Sequence, residues 1–284
     1  MNQTLISCAL ALAAAAIPSA ADAARGTDSC RAYIDTLPAV VSTPGVYCLR
    51  AGLATATSTG TAITVAGHHI TIDCNDFRLR GTAATSTRAI GIAADNKANT
   101  IVRNCHIDGF GSGIVLTGNG HEVYGNRLER ITTEGISVAS SPGSIRDNRL
   151  SDIGVDGMRP VPRAIVATGD VDILRNVIYR VQGQHDTSPT IAILSKSGQS
   201  NVIAGNEVMR VGNTLSGGAV GIRTTGSAAS RTVIRDNLVS ASSGNATGYG
   251  IWCGSAKAIA RGNQVAGWDS ALLKCVSSGN VSTP

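Results

Sequence analysis

Strong helix formers are scarce in this chain: its 284 residues include only 4 Glu, 4 Lys and 16 Leu. That is too few for a fold built on amphipathic helices. Charged residues make up 15%, against a usual share of roughly 25%, which argues against long coiled coils and charge-driven disorder. Aromatics reach 3%, so a nucleic-acid surface built on stacked rings is not expected. What the chain does have is 33 Gly, 25 Ile and 23 Val, with 43% hydrophobic residues overall. This composition favours many short β-branched strands separated by Gly, Asn, Ser and Thr turns.

The apolar run Leu5 to Ile17 ends in Pro18-Ser-Ala-Ala-Asp-Ala23, the small-residue pattern of a signal-peptidase site. It is shorter than the ~20 residues a spanning helix needs, and no other stretch could span a membrane. We therefore expect a signal peptide over 1–23, secretion to the periplasm or beyond, and a mature chain whose formal charge rises from +5 to +6 as Asp22 is lost. Six cysteines then remain, Cys30, Cys48, Cys74, Cys105, Cys253 and Cys275. An even count in an exported protein suggests disulfides, and proximity in sequence pairs Cys30 with Cys48, Cys74 with Cys105, and Cys253 with Cys275. Zinc is the competing explanation; it lacks a Cys-x-x-Cys or a nearby His pair.

Self-comparison shows a repeat of an apolar residue, two positions, Asn, one position and a second apolar residue. It runs through Ile72-Asp-Cys-Asn75-Asp-Phe77, Val123 to Leu128 around Asn126, Ile145 to Leu150 around Asn148, and Ile173 to Ile178 around Asn176. It continues around Asn206, Asn237 and Asn263, while an eighth copy near Asn104 is shifted by one, so that Cys105 takes the turn slot. A second element, a small residue before alternating apolar positions, interleaves with the first: Gly91-Ile92, Gly113-Ile114, Gly135-Ile136, Ala164-Ile165, Thr190-Ile191, Gly221-Ile222 and Gly250-Ile251. The period is 22 residues at its shortest and 26 to 31 elsewhere.

Three short strands and three turns fit such a period, and successive coils then stack strand on strand. That is an all-β, single-stranded right-handed parallel β-helix of roughly nine coils. Its turn Asn tolerates a left-handed conformation and can hydrogen-bond the Asn of the next coil. Leucine-rich repeats have a similar period but require far more Leu. The segment 24–60 lacks the pattern and reads as an N-terminal cap, with the β-helix domain over 61–284, because an open solenoid end exposes apolar interior and strand edge.

The segments Leu37-Pro-Ala-Val-Val-Ser-Thr-Pro44-Gly-Val-Tyr-Cys48-Leu, Ile70-Thr-Ile-Asp-Cys74-Asn and Val102-Arg-Asn-Cys-His-Ile-Asp-Gly109-Phe-Gly-Ser-Gly113-Ile carry a resemblance. The chain resembles bacterial secreted right-handed β-helix proteins of the pectin-lyase-like superfamily over nearly all its mature length. The resemblance implies a fold more than an activity, since that superfamily includes lyases, hydrolases, epimerases, esterases and non-catalytic adhesins. The Asn-Thr-Asp, Asp-Asp, Gly-His-Gly and Arg-Ile-Lys set of polygalacturonases is missing, and Arg159-Pro-Val-Pro-Arg163 is only loosely similar to the pectate-lyase motif.

Insertions point to a working edge. From Asn to the next small-apolar element there are ten residues for Asn104 to Ile114 and for Asn126 to Ile136, but 14 to 17 in the other coils. All these long connections are expected at one turn of the coil, as stacked loops. Two consecutive ones are chemically rich: Asp152 to Arg163, and Tyr179-Arg180-Val-Gln-Gly-Gln-His185-Asp186. A uronate lyase or epimerase needs a cation on the carboxylate and a base for the C5 proton. Arg159, Arg163 and Arg180 are candidates for the first, and His185, oriented by Asp186 or Asp156, for the second. A hydrolase would use two carboxylates from Asp152, Asp156 and Asp186.

In the superfamily the outward positions of the small-apolar strand form a cleft floor, which here reads Val115, Ser137, Val166, Ala192, Arg223 and Trp252. Arg223 and Trp252, with Tyr249, could stack a sugar and pair its carboxylate; alternatively Trp252 covers the end of the core near Cys253. Arg127, Arg130, Arg146 and Arg149 suggest a positive patch for an acidic polysaccharide or an anionic envelope glycan. No cofactor is expected, and calcium would need Asp108, Glu134 and Asp156 to converge. The leading expectation is a secreted or periplasmic monomer acting on an acidic polysaccharide by β-elimination. The alternative is a non-catalytic β-helix that binds the cell envelope.

Overall fold

The computed structural model describes residues 30–84, 87–154, 161–184, 187–196, 198, 200–226, 231–242, 247–254 and 258–283. They form three parallel sheets and, among the described residues, no α-helix. The first sheet has eleven strands, from Ala32–Ile34 to Val276–Ser278; the second has ten, from Ala39–Val41 to Ser270–Leu273; the third has ten, from Leu53–Ala54 to Val281–Thr283. The chain visits the first, third and second sheets in turn and then begins the next rung, so every strand pairs with the strand one coil earlier and one coil later.

The alternating Ile and Val residues build the interior because each occupies the same inward position on successive rungs. One column runs Ile72, Val102, Val123, Ile145, Ile173, Ile203 and Ile234, and another Ile63, Ile92, Ile114, Ile136, Ile165, Ile193, Ile222 and Ile251. All are fully buried, and each such side chain contributes about 1.5–3 kcal/mol of burial free energy. The first column ends on Ala260 and Ser277, the second on Leu272, and the inward column of the third sheet on Val265 and Ser282. The last rung thus turns small polar residues toward the interior, as a terminal repeat must. At the other end, the strands of the segment expected as a cap pair in parallel with the next coil, Ala39 with Ile63 and Gly45 with Ile70. This segment is therefore the first rung as well as a closure, and the Cys30–Cys48 disulfide ties it. Cys74–Cys105 and Cys253–Cys275 are the other two bridges, as proximity suggested.

Asn126, Asn148, Asn176, Asn206, Asn237 and Asn263 form a buried ladder ending at Asn280, each Nδ2 donating to the next Oδ1 at 2.9–3.0 Å. The same Oδ1 accepts the backbone N–H of the preceding ladder residue. Cys105 does occupy the shifted slot, its N–H donating to Asn126 Oδ1 at 3.0 Å. One expectation is corrected. Asn75 and Asn104 are left-handed as expected, at φ 48° and 51°, but along the buried ladder that conformation belongs to the residue before the Asn, at Gly125, Asp147, Arg175, Gly205, Asp236 and Gly262, with φ between 51° and 65°. The turn bends there, which leaves the amide free to point into the stack.

A second correction concerns the small-residue position. The register aligns Ala192, not Thr190, with Ala164 and Gly221, and Ala192 is fully buried and faces inward. The backbone passes close to the next coil there: a Cβ on Gly135 would lie 2.5 Å from the Ala164 carbonyl oxygen. The outward residue aligned with Val166 and Arg223 is Leu194.

His121 is fully buried at the start of a first-sheet strand, its Nδ1 accepting the Thr100 N–H at 3.2 Å. Burial pushes its pKa below the ordinary imidazole value. The unfolded chain then takes up a proton that the native ring refuses. His121 therefore contributes stability that is complete above about pH 6.5 and is lost as pH falls from there through its depressed native pKa. Urea unfolding midpoints at pH 7 and pH 5 should converge in His121→Gln relative to the unsubstituted protein; parallel midpoints would remove His121 as the cause.

Candidate functional site

The longer connections between the third and second sheets span 81–89, 154–162, 184–189, 214–218 and 242–247, against 109–111 and 132–133 in the minimal coils. This is the edge expected from the insertions. A second set was not anticipated: between the second and first sheets the later coils carry 197–201, 226–232 and 254–258, where earlier coils turn within 140–142 or 169–170. The outer face of the second sheet over residues 190–253 is therefore bordered by longer connections on both sides. Counting only from Asn to the next strand hid the second border.

Two outward rows make the floor. One runs Ser112, Glu134, Arg163, Ile191, Val220, Tyr249 and Ser270; the other runs Val115, Ser137, Val166, Leu194, Arg223, Trp252 and Leu273. Ile191, Leu194 and Val220 point away from the cylinder yet are buried, in an apolar cluster separate from the core, with Tyr249 and Trp252 packed against it. Beyond them the Tyr249 and Trp252 rings lie 5.4 Å apart at 52°. A pocket of about 360 Å³ opens there, walled by Pro189, Gly217, Val220, Tyr249, Trp252 and Asp269. Trp252 thus serves the surface. The core end is covered by Trp268, 7% exposed, whose indole N–H donates to the Val239 carbonyl.

The Arg223 guanidinium lies over the Trp252 ring at 4.2 Å. No carboxylate among the described residues pairs with it. Burial pushes its pKa below the ordinary guanidinium value, and the charge of Arg163 adds to the effect. It nevertheless remains a cation at physiological pH. A half-buried cation with no carboxylate partner among the described residues, set beside two rings, has the chemistry to meet an anion attached to a ring-shaped, partly apolar ligand.

Arg163 is placed on the same floor, two rungs earlier, and donates to Glu134 at 2.9 Å, while its Nε is buried without a partner. Arg180 lies instead on the third sheet, where its guanidinium pairs with Asp152. The structure therefore brings together Arg163, Arg223, Tyr249 and Trp252, and sets Arg180 on another face. Asp156, Arg159, His185 and Asp186 lie outside the described residues. Of the residues weighed for calcium, Asp108 is on the third sheet held by Arg130 and Glu134 is on the second held by Arg163, while Asp156 lies outside the described residues. No group of three metal-ligating side chains occurs among the described residues. Sequence reasoning missed Leu194, Ile191, Val220 and Asp269; only the inter-coil register reveals that they share the floor.

A family described as "Right handed beta helix region" matches residues 54–184. No curated protein matches the chain. Among solved structures, the Dettilon tailspike protein (gp208) is similar at 16% identity with a TM-score of 0.58, over 88% of this chain and 53% of that one. The chain thus spans about half the length of that tailspike. The Azotobacter vinelandii mannuronan C-5 epimerase AlgE6 A-module matches at 13% identity and TM-score 0.41, over 90% of this chain and 91% of that one. An alginate lyase from Paenibacillus sp. str. FPU-7 matches at 15% and 0.33, over 87% and 96%. At 16% identity the likeness to the tailspike speaks to the fold alone.

Proposed function

We propose that this right-handed parallel β-helix, which resembles proteins of the pectin-lyase-like kind, binds an acidic polysaccharide on the outer face of its second sheet and acts on it by β-elimination. The observation that carries this reading is Arg223, half-buried, without a carboxylate partner among the described residues, and stacked on Trp252 beside the pocket at Tyr249. A uronate bound there would set its carboxylate against the guanidinium and its ring against the aromatic pair. In β-elimination a base removes the C5 proton, the carboxylate takes up the developing negative charge, and the C4–O4 bond breaks as the C4–C5 double bond forms, O4 leaving with the bonding pair and taking a proton from water or from the protonated base. Arg163 and Arg223 are the cations available on the floor to hold that charge, with Arg159 a further candidate. His185, oriented by Asp186 or Asp156, is the proposed base. The three disulfides support an exported, oxidising location.

The test is a screen of uronic-acid polymers that follows absorbance of unsaturated products together with reducing ends. Turnover that survives in His185→Ala would remove the base assignment. Binding without turnover on any polymer would assign the protein to the non-catalytic reading.

A further inference from the structure

A second charged surface lies on the third sheet, remote from this floor. Arg78, His106, Arg127 and Arg149 occupy the same outward position on four successive rungs and are direct register partners. Strand spacing places such residues ~4.8 Å apart. Like charges directly opposite each other in a sheet destabilise it. Arg80 and Arg130 lie beside this column, and both converge on Asp108, Arg130 at 2.5 Å and Arg80 at 3.5 Å, with Arg78 at 3.9 Å from the same oxygen. Asp108 is fully buried and its other oxygen has no partner. It acts as an anchor beneath guanidinium groups that are themselves 41–52% exposed.

Glu129 is the other carboxylate within the array. Burial alone would raise its pKa, but hydrogen bonds from Arg127 and His106 outweigh that and hold it below the usual carboxylate range. The bordering Asp147 and Asp152 are taken by Arg175 and Arg180, and Asp76 lies at the turn before Arg78. Five arginines thus face two carboxylates inside the array. Arg149 is exposed, and no carboxylate among the described residues pairs with it. Arg146, which the sequence grouped with this patch, belongs elsewhere: it is on the first sheet, over the Tyr124 ring and paired with Glu122. The column follows short turns at 104–105, 125–126 and 147–148, so no insertion borders it on that side. Beyond Arg149 the same position carries Val177, Glu207, Leu238 and Gln264, so the array is confined to these four rungs.

We propose that this column is a docking track for a linear polyanionic polysaccharide lying along the cylinder axis, separate from the second-sheet floor. The match is one of geometry and sign: Arg78, Arg127 and Arg149 stand on one straight line at three of four successive rungs, with Arg80 and Arg130 beside it, and a chain with regularly spaced anionic groups can meet several of them together. Neutralising the track would remove the cross-strand repulsion that the free protein bears.

The full chain should bind heparin in a salt-dependent manner. Arg127→Gln/Arg149→Gln should weaken binding at least tenfold at low salt and flatten its salt dependence. Arg175→Gln/Arg235→Gln, which removes the same charge from another face, should change binding less than twofold. Equal weakening by both double variants would overturn the track. So would preference for anionic phosphatidylglycerol vesicles over heparin and polygalacturonate. Because the track and the floor are on different sheets, failure of one leaves the other standing.

Discussion

Asn176→Ala is expected to lower unfolding stability by about 3–5 kcal/mol, the larger part of what a domain typically has to spare. Asn176 is fully buried, in the middle of the ladder. Its Oδ1 accepts both the backbone N–H and the Nδ2 of Asn148, and its Nδ2 donates to Asn206 and to the Ile145 carbonyl. Truncation leaves several buried polar groups without partners, each costing about 1–3 kcal/mol. The rung above and the rung below are both affected. Asn280→Ala makes a control, because that residue ends the ladder and is more exposed; its loss should cost about 1 kcal/mol. Urea unfolding followed by far-ultraviolet circular dichroism compares them. Equal midpoints would mean that the ladder contributes no more in the middle than at its end.

For the floor, Arg223→Gln is expected to weaken binding of a uronic-acid polymer about 30-fold or more, or roughly 2 kcal/mol. It should hardly change binding of the same polymer after its carboxyl groups are reduced. Trp252→Ala should weaken both polymers, since the ring offers its face to the sugar as well as to the cation. The two variants thus separate charge pairing from stacking, with isothermal titration calorimetry as the measurement. If Arg223→Gln weakened the acidic and the reduced polymer alike, its effect would be structural and the carboxylate assignment would fall.

Much of the cylinder was legible because its grammar is local. The ladder Asn, the inward Ile and Val and the three cystine pairs all follow from spacing within a coil or between consecutive coils. The errors were of register. Thr190-Ile191 has the look of the small-apolar motif, yet Ala192-Ile193 fills it, because the constraint is the carbonyl of the neighbouring coil. Likewise the left-handed turn residue was placed one position late, since Asn suits both the bend and the stack, and only the stacking showed that the preceding residue bends.

The site was less legible than the scaffold. Arg127, Arg130, Arg146 and Arg149 look alike in sequence, but Arg146 turns to Glu122 on the first sheet and Arg130 reaches down to Asp108, whereas Arg149 is left for solvent. Sequence by itself determined the repeat, the parallel stacking and what fills the interior, because those depend on the identity of each residue and its alternation along one strand. The tertiary structure decided which arginines keep a charge to offer, which apolar residues meet outside the core, and that Trp268 rather than Trp252 closes the end. Those outcomes depend on the residue one rung away, some 17 to 34 positions along the chain, and Coulomb attraction and ring contact act only at the few ångströms that folding creates.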